Sequence, residues 1–451
     1  MGSRPAGDSL TSPTYNLWTI GCQMNEADAL RAAATLESAG FQPVSHAREA
    51  GLLLLNTCVV RQQAEDKIYS RLTYVAELKQ KNPHLVVALM GCLVGKNPRE
   101  ISALRQRFPF VDLFLSPSDL SPLHDFLHSR GFVIAPTPSD LDDLPPPPLP
   151  DSMTGRAIVA HVPIVLGCSH ACTYCVIPYR RGGEHSRPSA EILAEASALV
   201  QRGVREIVLL GQIVDRYGLD RPGEILLPEL LRRVAAIPGL LRVRFLTSHP
   251  RWITDDLIAT VATTPGLCPY FEIPVQAGAD EILAAMRRGY TVADYEALIQ
   301  KVRTALPHAG ISTDMIVGFP GETSAHFEDS MALMRRIHPD MIRIAKYSPR
   351  PLTYSARHLP DDVPEAEKER RRIAMETQLR AMLTEKNAPL LGQTTEILVE
   401  TIEKNGRRHG RTPDYKPVFV DASTAAPGDL LRARITWSGP FSLIAEALPQ
   451  N

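Results

Sequence analysis

Three cysteines stand close together in the stretch Gly167 to Cys175, GCSHACTYC. Cys168, Cys172 and Cys175 follow the pattern C-x-x-x-C-x-x-C, a spacing that lets one loop aim three thiolates at one centre. A 4Fe-4S cluster takes four ligands, so three cysteines leave one iron open. An open metal position can bind a group that reacts, as in catalytic zinc sites. A structural zinc site and a disulfide are the alternatives. Zinc motifs usually bring four ligands, often as two C-x-x-C pairs, and His170 has no partner at zinc-finger spacing. The spacing favours iron–sulfur chemistry and leaves the other two readings open.

A second triplet is dispersed. Cys22, Cys58 and Cys92 each follow a short apolar run: Tyr15–Ile20, Leu52–Leu55 and Leu85–Met90. A helical pattern separates the first two, from Asn25 to Ala39 with Gly40 as its stop, and a polar helix to about Lys81 separates the next two. Alternating strands and helices predict a parallel sheet covered by helices. In such sheets ligands collect at the carboxyl ends of strands. All three cysteines stand at that end, so they are expected to converge. One buried cysteine is an ordinary small hydrophobe, and Cys268 reads that way; three in the same topological position point to a ligand role.

The elements that position the loop triplet follow a proline-rich stretch, Ala135 to Asp151, which reads as a semi-rigid spacer. Six strand candidates come next: Ile158–Val165, Glu206–Leu210, Arg242–Thr247, Tyr270–Val275, Gly310–Val317 and Met341–Tyr347. Helical patterns separate them, including Ala190–Arg202 with Ser189 as N-cap and one from Val292 to about Leu306. Eight such units close a barrel and six leave it open, so a partial (β/α)6 TIM-like barrel is expected. Polar and glycine-rich segments gather after its strands: the cysteine loop, Gly211-Gln212, Ser248-His249-Pro250, Gln276 and Gly318 to Glu322. Gly318 and Gly321 also suit a plain turn, and His249 a helix cap. A charged helix from Pro364 to Asn387, with Arg370, Arg371 and Arg372, reads as a solvated connector. Five short strands with turn signals then predict a small all-β, OB-like barrel. Its basic hairpin GRRHGR offers Arg407, Arg408 and Arg411 as phosphate contacts.

Composition limits the partners. With 49 Lys+Arg against 50 Asp+Glu the net charge is -1, so any RNA binding needs a local basic patch. Seven cysteines in 451 residues are too few for a disulfide scaffold. No apolar run is long enough to span a membrane, and the polar start, residues 1–14, reads as a disordered tail without a signal-peptide core. A cytoplasmic protein is expected.

The run GCSHACTYC-VIPYRRGGEHSRP resembles the signature of radical S-adenosylmethionine (radical SAM) enzymes of the methylthiotransferase family. GCQMNEAD, NTCVVRQQAEDK, Gly91-Cys92, LLGQ, RFLTSHP, PVQ and DMIVGFPGET match further motifs of that family, from about Trp18 to the chain end. The resemblance implies an N-terminal α/β domain over 15–134, a linker over 135–152, a radical SAM domain over 153–388 and a TRAM domain over 389–451. It implies two 4Fe-4S clusters, one on Cys168, Cys172 and Cys175 that reductively cleaves S-adenosylmethionine, and an auxiliary one on Cys22, Cys58 and Cys92 that carries the sulfur. It carries S-adenosylmethionine contacts onto Tyr174, Gln212, Gln276 and Asp314. GCQMN and NTC-x-x-R resemble the MiaB-type tRNA branch, whose substrate is isopentenyl-modified adenosine beside the anticodon, methylthiolated at carbon 2. The implied partners are the tRNA anticodon stem-loop and an electron donor such as flavodoxin or ferredoxin, acting with a monomer. The alternatives are threonylcarbamoyl-adenosine in tRNA, a ribosomal protein, or a non-catalytic iron–sulfur or zinc RNA-binding protein. Two stretches depart from the family pattern, Ala277 and Ala279 after PVQ, and Tyr347 to Ala356.

Overall fold

The computed structural model describes residues 13–59, 62–132, 149–421 and 424–449. Residues 1–12 of the expected tail and 135–148 of the expected spacer lie outside the described residues. The chain divides into two compact units. One comprises Met1–Thr154, His161–His170 and Val176–Leu199; the other comprises Gly155–Ala160, Ala171–Cys175 and Val200–Asn451.

The first unit is built on a five-stranded sheet in the order Gln42–Pro43, Thr14–Thr19, Leu52–Thr57, Val86–Gly91, Leu113–Leu115, with every pairing parallel. The central strands LLLLNT and VVALMG are buried at every position. That is what a parallel sheet covered on both faces requires. Successive side chains alternate between the faces. Leu53, Leu55, Val87 and Leu89 pack with Ile68, Leu72 and Val75 of the helix Gln62–Lys81. Leu52, Leu54, Val86 and Ala88 pack with Ala32, Ala33 and Leu36 of the helix Gln23–Ser38 and with Leu123 and Leu127. Each such leucine contributes roughly 1.5–3 kcal/mol by burial. The expected sheet is therefore present, and the register pairs Thr19 with Asn56, Asn56 with Met90 and Thr57 with Gly91.

All six expected strands appear within a residue or a few of their expected ends, five of them wholly in the second unit. Val159–Pro163, Glu206–Leu210 and Arg242–Leu246 form one three-stranded sheet, and Tyr270–Glu272, Gly310–Val317 and Met341–Lys346 form another. Val243 N donating to Gly266 O, Cys268 N to Val243 O and Ser248 N to Glu272 O carry the curvature from one sheet to the next. The first strand stops at Pro163, which has no N–H to continue a ladder. The helix expected from Ala190 starts one residue earlier, at Ser189, so Ser189 is its first helical residue and not its cap. Thr291 caps the helix Val292–Ala305 through a full capping box with Asp294.

The C-terminal strands close into a five-stranded barrel in the order Thr394–Ile402, Arg408–Arg411, Pro417–Asp421, Leu443–Ala447, Leu430–Ser438. The strand LLRARITWS alternates buried and exposed residues up to its bulge at Ile435/Trp437, the pattern of a filled small barrel. Arg242 and Arg244 of the central sheet donate to the carbonyls of Arg411, Thr412 and Pro413, at 2.6–2.9 Å, and so dock the barrel. Arg244 also forms a buried pair with Glu206 at 2.8 Å.

Candidate functional site

The dispersed triplet comes together by topology. Cys22 stands three residues after the strand Thr14–Thr19, Cys58 directly after Leu52–Thr57, and Cys92 directly after Val86–Gly91, on three adjacent parallel strands. Asn25 joins the ends. Its Nδ2 donates to Asn56 Oδ1 at 3.0 Å and to Thr57 O at 2.8 Å, and Asn56 Nδ2 donates back to Asn25 O at 2.6 Å. Both asparagines are fully buried, so each bond is made in a low-dielectric interior where an unpaired amide is costly. Cys22 Sγ lies 3.4 Å from Asn25 Oδ1, and Cys92 N donates to Thr57 O at 2.9 Å. Gly91 takes φ +94°, and a Cβ there would lie 2.5 Å from both Asn56 Oδ1 and Thr57 O, so only glycine fits. This is the physical content of GCQMN, NTC and Gly91-Cys92.

A buried arginine completes this site. Arg181 donates to Asp28 Oδ2 at 3.1 Å, Asn25 Oδ1 at 3.3 Å and Ser118 Oγ at 3.1 Å. Ser118 Oγ in turn donates to Asp28 Oδ1 at 2.8 Å. Burial works against the Arg181 charge, but Asp28, Cys92 and Cys22 more than offset it, so its pKa rises. Burial pushes the Cys92 thiol up to about 11, with Arg181 opposing the rise and Cys58 and Cys22 adding to it. Three thiols thus share one electrostatic environment with one guanidinium. Such a donor set fits an iron–sulfur cluster, whose iron deprotonates its thiol ligands outright. Among the described residues no group of three or more His, Cys, Asp or Glu is placed to hold a metal ion. A cluster, larger than an ion, takes donors set wider apart. Sequence reasoning missed Arg181, Asp28 and Ser118, although the first two lie inside the motifs YRRGG and GCQMNEAD.

The loop triplet begins in the first unit. Gly167 takes φ +70°, and a Cβ there would meet Gly183 O at 2.1 Å. Cys168 N donates to Gly182 O, and His170 N approaches Cys168 Sγ at 3.5 Å. The second unit holds Cys172 and Cys175. Thr173 anchors the loop there: its N donates to Met286 O, its Oγ1 to Ala285 O, and its carbonyl accepts from Ser355 N. Arg288 Nη1 donates to Cys172 Sγ at 3.2 Å and Nη2 to Pro274 O at 3.1 Å. Tyr174 packs on a core that contains Ala277, Ala279 and Tyr347. Both departures from the family pattern therefore support the cysteine loop: the two alanines line its floor, and Ser355 bonds its backbone. No disulfide forms, since all seven cysteines are free.

The remaining expected site residues are spread over the barrel: Gln212 and Gln276 follow strands, Asp314 lies within the strand Gly310–Val317, and Tyr174 lies in the cysteine loop. Gln276 is buried at φ +80°, a strained conformation for a non-glycine residue of the kind that clusters at functional sites. Its N donates to Asp314 O at 2.9 Å, which brings these two together. The Asp314 carboxylate lies 3.4 Å from Arg343. Tyr174 Oη lies 3.4 Å from Arg288. Gln212 follows the strand Glu206–Leu210, half-buried. His249 is no simple cap: its ring packs edge-on against Tyr290, and its N donates at 2.6 Å to Asp215, a residue sequence reasoning passed over. Ser248 Oγ donates to the other Asp215 oxygen at 2.8 Å. Burial pushes the Asp215 carboxyl up to about 7, against both hydrogen bonds. Cys268 is buried, and burial pushes its thiol up to about 11, as a core thiol should behave. Glu322 accepts from Gly318 N at 2.5 Å and pairs with buried Arg371 at 2.6 Å. The helix Glu365–Asn387 is thus tied in and not merely solvated. In the barrel hairpin Arg407 pairs with Asp421, Arg408 donates to the carbonyls of Ala425 and Gly406, and Arg411 grips both oxygens of Glu400.

Three family models match the chain: the radical SAM superfamily over 162–334, the uncharacterized protein family UPF0004 over 14–116, and the TRAM domain over 390–448. The chain is 44% identical to the tRNA-2-methylthio-N(6)-dimethylallyladenosine synthase of Dehalococcoides mccartyi strain 195, over 96% of this chain and 98% of that protein. It is 46% identical to the synthase of the same name from Roseiflexus sp., over 95% and 88%. With that of Chloroflexus aurantiacus it shares 44% identity over 99% and 94%. Among solved structures the radical S-adenosylmethionine methyltransferase TsrM from Kitasatospora setae is similar at TM-score 0.54 and 16% identity, with 77% of each chain covered. The cobalamin-dependent radical enzyme OxsB is similar at TM-score 0.51 and 11% identity, over 82% of this chain and 56% of that one. At those identities the likeness is one of fold.

Proposed function

The chain belongs to the radical SAM methylthiotransferase family, and from that premise we propose that it adds a methylthio group to carbon 2 of isopentenyl-modified adenosine next to the tRNA anticodon. The product is 2-methylthio-N(6)-dimethylallyladenosine. In this reading Cys168, Cys172 and Cys175 hold one 4Fe-4S cluster and Cys22, Cys58 and Cys92 hold another. When bound, the first supplies the electron that cleaves S-adenosylmethionine and the second supplies the sulfur carrier.

The chain's own residues do the rest. Asn25, Asn56 and Arg181 fix the strand ends that carry the dispersed thiols. Thr173 and Arg288 fix the loop that carries Cys172. Gln276 and Asp314, with Tyr174 and Gln212, are the residues offered to S-adenosylmethionine. Residues 15–134, 153–388 and 389–451 act as the auxiliary-cluster, radical SAM and TRAM domains. The barrel holds the tRNA, whose target base must be splayed out of the loop stack to react. A flavodoxin or ferredoxin supplies electrons to a monomer in the cytoplasm; among the described residues no helix is long and apolar enough to cross a membrane.

The observation that carries this reading is the succession of Cys22, Cys58 and Cys92 after three adjacent parallel strands. A protein that only bound RNA through a structural metal has no use for a second triplet at strand ends. The test is anaerobic incubation with isopentenylated tRNA and S-adenosylmethionine, followed by mass spectrometry of the nucleosides. The methylthio nucleoside is expected. Product only with threonylcarbamoylated tRNA or a ribosomal protein would move the assignment to another branch.

A further inference from the structure

The second unit carries a buried cation that holds the cysteine loop and whose charge has a further consequence there. Arg288 is 6% exposed. Arg287 before it takes φ +56°, and Gly289 after it φ +73°, two left-handed turns that direct the Arg288 side chain inward. Its Nε donates to Tyr290 Oη at 2.9 Å, Nη2 to Pro274 O at 3.1 Å, and Nη1 to Cys172 Sγ at 3.2 Å. Tyr290 Oη is itself held by Val275 O at 2.8 Å, so the guanidinium has little freedom to turn. Among the described residues no carboxylate pairs with Arg288, whereas Arg181 at the other triplet is neutralised by Asp28 at 3.1 Å. A full positive charge therefore sits against one cysteine sulfur of the loop.

We propose that Arg288 is a positioning residue that orients Cys172 and sets the reduction potential of the cluster the loop holds. This rests on the cluster assignment given above. The reduced cluster carries one more negative charge than the oxidised one. A cation and an N–H donor at a ligand sulfur favour the reduced form, because potential follows net charge and hydrogen bonds to sulfur. In water-poor surroundings that attraction is screened little. Arg288 would thus make the one-electron reduction easier than the bare thiolate loop allows.

The test uses full-length protein with Cys22, Cys58 and Cys92 all changed to Ala, so that only the loop can take up a cluster. It is reconstituted anaerobically and titrated with titanium(III) citrate, which supplies the single electron, while the reduced cluster is followed by electron paramagnetic resonance. Arg288→Gln is expected to lower the reduced-to-oxidised ratio at a fixed potential by about tenfold, equal to about 59 mV for one electron. Arg288→Lys, which keeps the charge and loses the fork, is expected to fall between. An unchanged potential in Arg288→Gln overturns the proposal. If the glutamine variant takes up no cluster, the lysine variant is judged by the same criterion, and loss of cluster in both with wild-type melting also overturns it. About four irons per chain in the parent protein separate the two questions. Their absence counts against the cluster assignment, and their presence with an unmoved potential counts against Arg288.

Discussion

The two cysteine triplets are assembled by opposite routes. One is written in nine consecutive residues and needs only a loop. The other is spread over 71 positions, from Cys22 to Cys92, and exists only because three strands lie side by side in a parallel sheet. Each has a buried arginine at a sulfur. Arg181 is paired with Asp28 and so brings geometry with little net charge. Arg288 is held by the Tyr290 phenol and the Pro274 carbonyl and brings charge as well. The carboxylates differ in the same way. Asp28 sits on a guanidinium, whereas Asp215, at the strand ends of the barrel, is held by neutral donors and burial raises it to about 7. The dispersed site is electrostatically closed and the barrel side is not.

The largest expected effect breaks the loop side. Cys172→Ala should abolish both S-adenosylmethionine cleavage and nucleoside product, read by chromatography of 5′-deoxyadenosine and by mass spectrometry. Breaking the closed pair is next. Asp28→Ala leaves Arg181 buried without its counter-charge, and unfolding by denaturant should show a loss of about 3–5 kcal/mol. The double variant with Arg181→Met should recover part of that loss, because no buried charge is then left unpaired. Independent additive losses would show that the two residues do not act as a pair.

Asp215 tests the open side. Its carboxyl titrates near 3.8 in the unfolded chain and near 7 in the folded one. The folded protein therefore keeps a proton that the unfolded chain loses between these values. Its contribution to stability is greatest below about pH 4, falls by up to about 4 kcal/mol as pH rises toward 7, and is level above that. Asp215→Asn should flatten that slope, since an amide can accept from His249 N and donate to Ser248 Oγ. An unchanged slope would place the pH dependence elsewhere. The smallest effect is expected in the C-terminal barrel. Its hairpin arginines are already engaged, so Arg407→Ala should weaken tRNA binding less than about tenfold and reduce the salt slope by about one. A larger loss would make the hairpin the main RNA contact.

Most of the architecture was legible in the sequence because it rests on apolar runs. LLLLNT and VVALMG admit little but buried parallel strands, and the alternation in LLRARITWS admits little but a barrel wall. The two cysteine triplets were legible as triplets because the loop spacing of one and the strand-end positions of the other can be read from the residues alone. The partners of the cysteines were not. Arg181 lies 89 positions after Cys92, and its tie to Asp28 spans 153. No local pattern encodes such a contact. The two alanines after PVQ depart from the family pattern, and in the fold they are core against which Tyr174 packs. The arginines of the charged helix looked alike, but Arg371 alone turns inward to Glu322.

The central claim is that the two triplets divide the labour, one generating the radical and the other delivering sulfur. It is tested most directly by Cys22→Ala, reconstituted anaerobically and assayed with isopentenylated tRNA. Iron should fall from about eight to about four per chain. 5′-Deoxyadenosine should still form, and the methylthio nucleoside should vanish. Loss of 5′-deoxyadenosine together with the product would contradict the division, and so would methylthio nucleoside formed at the wild-type rate.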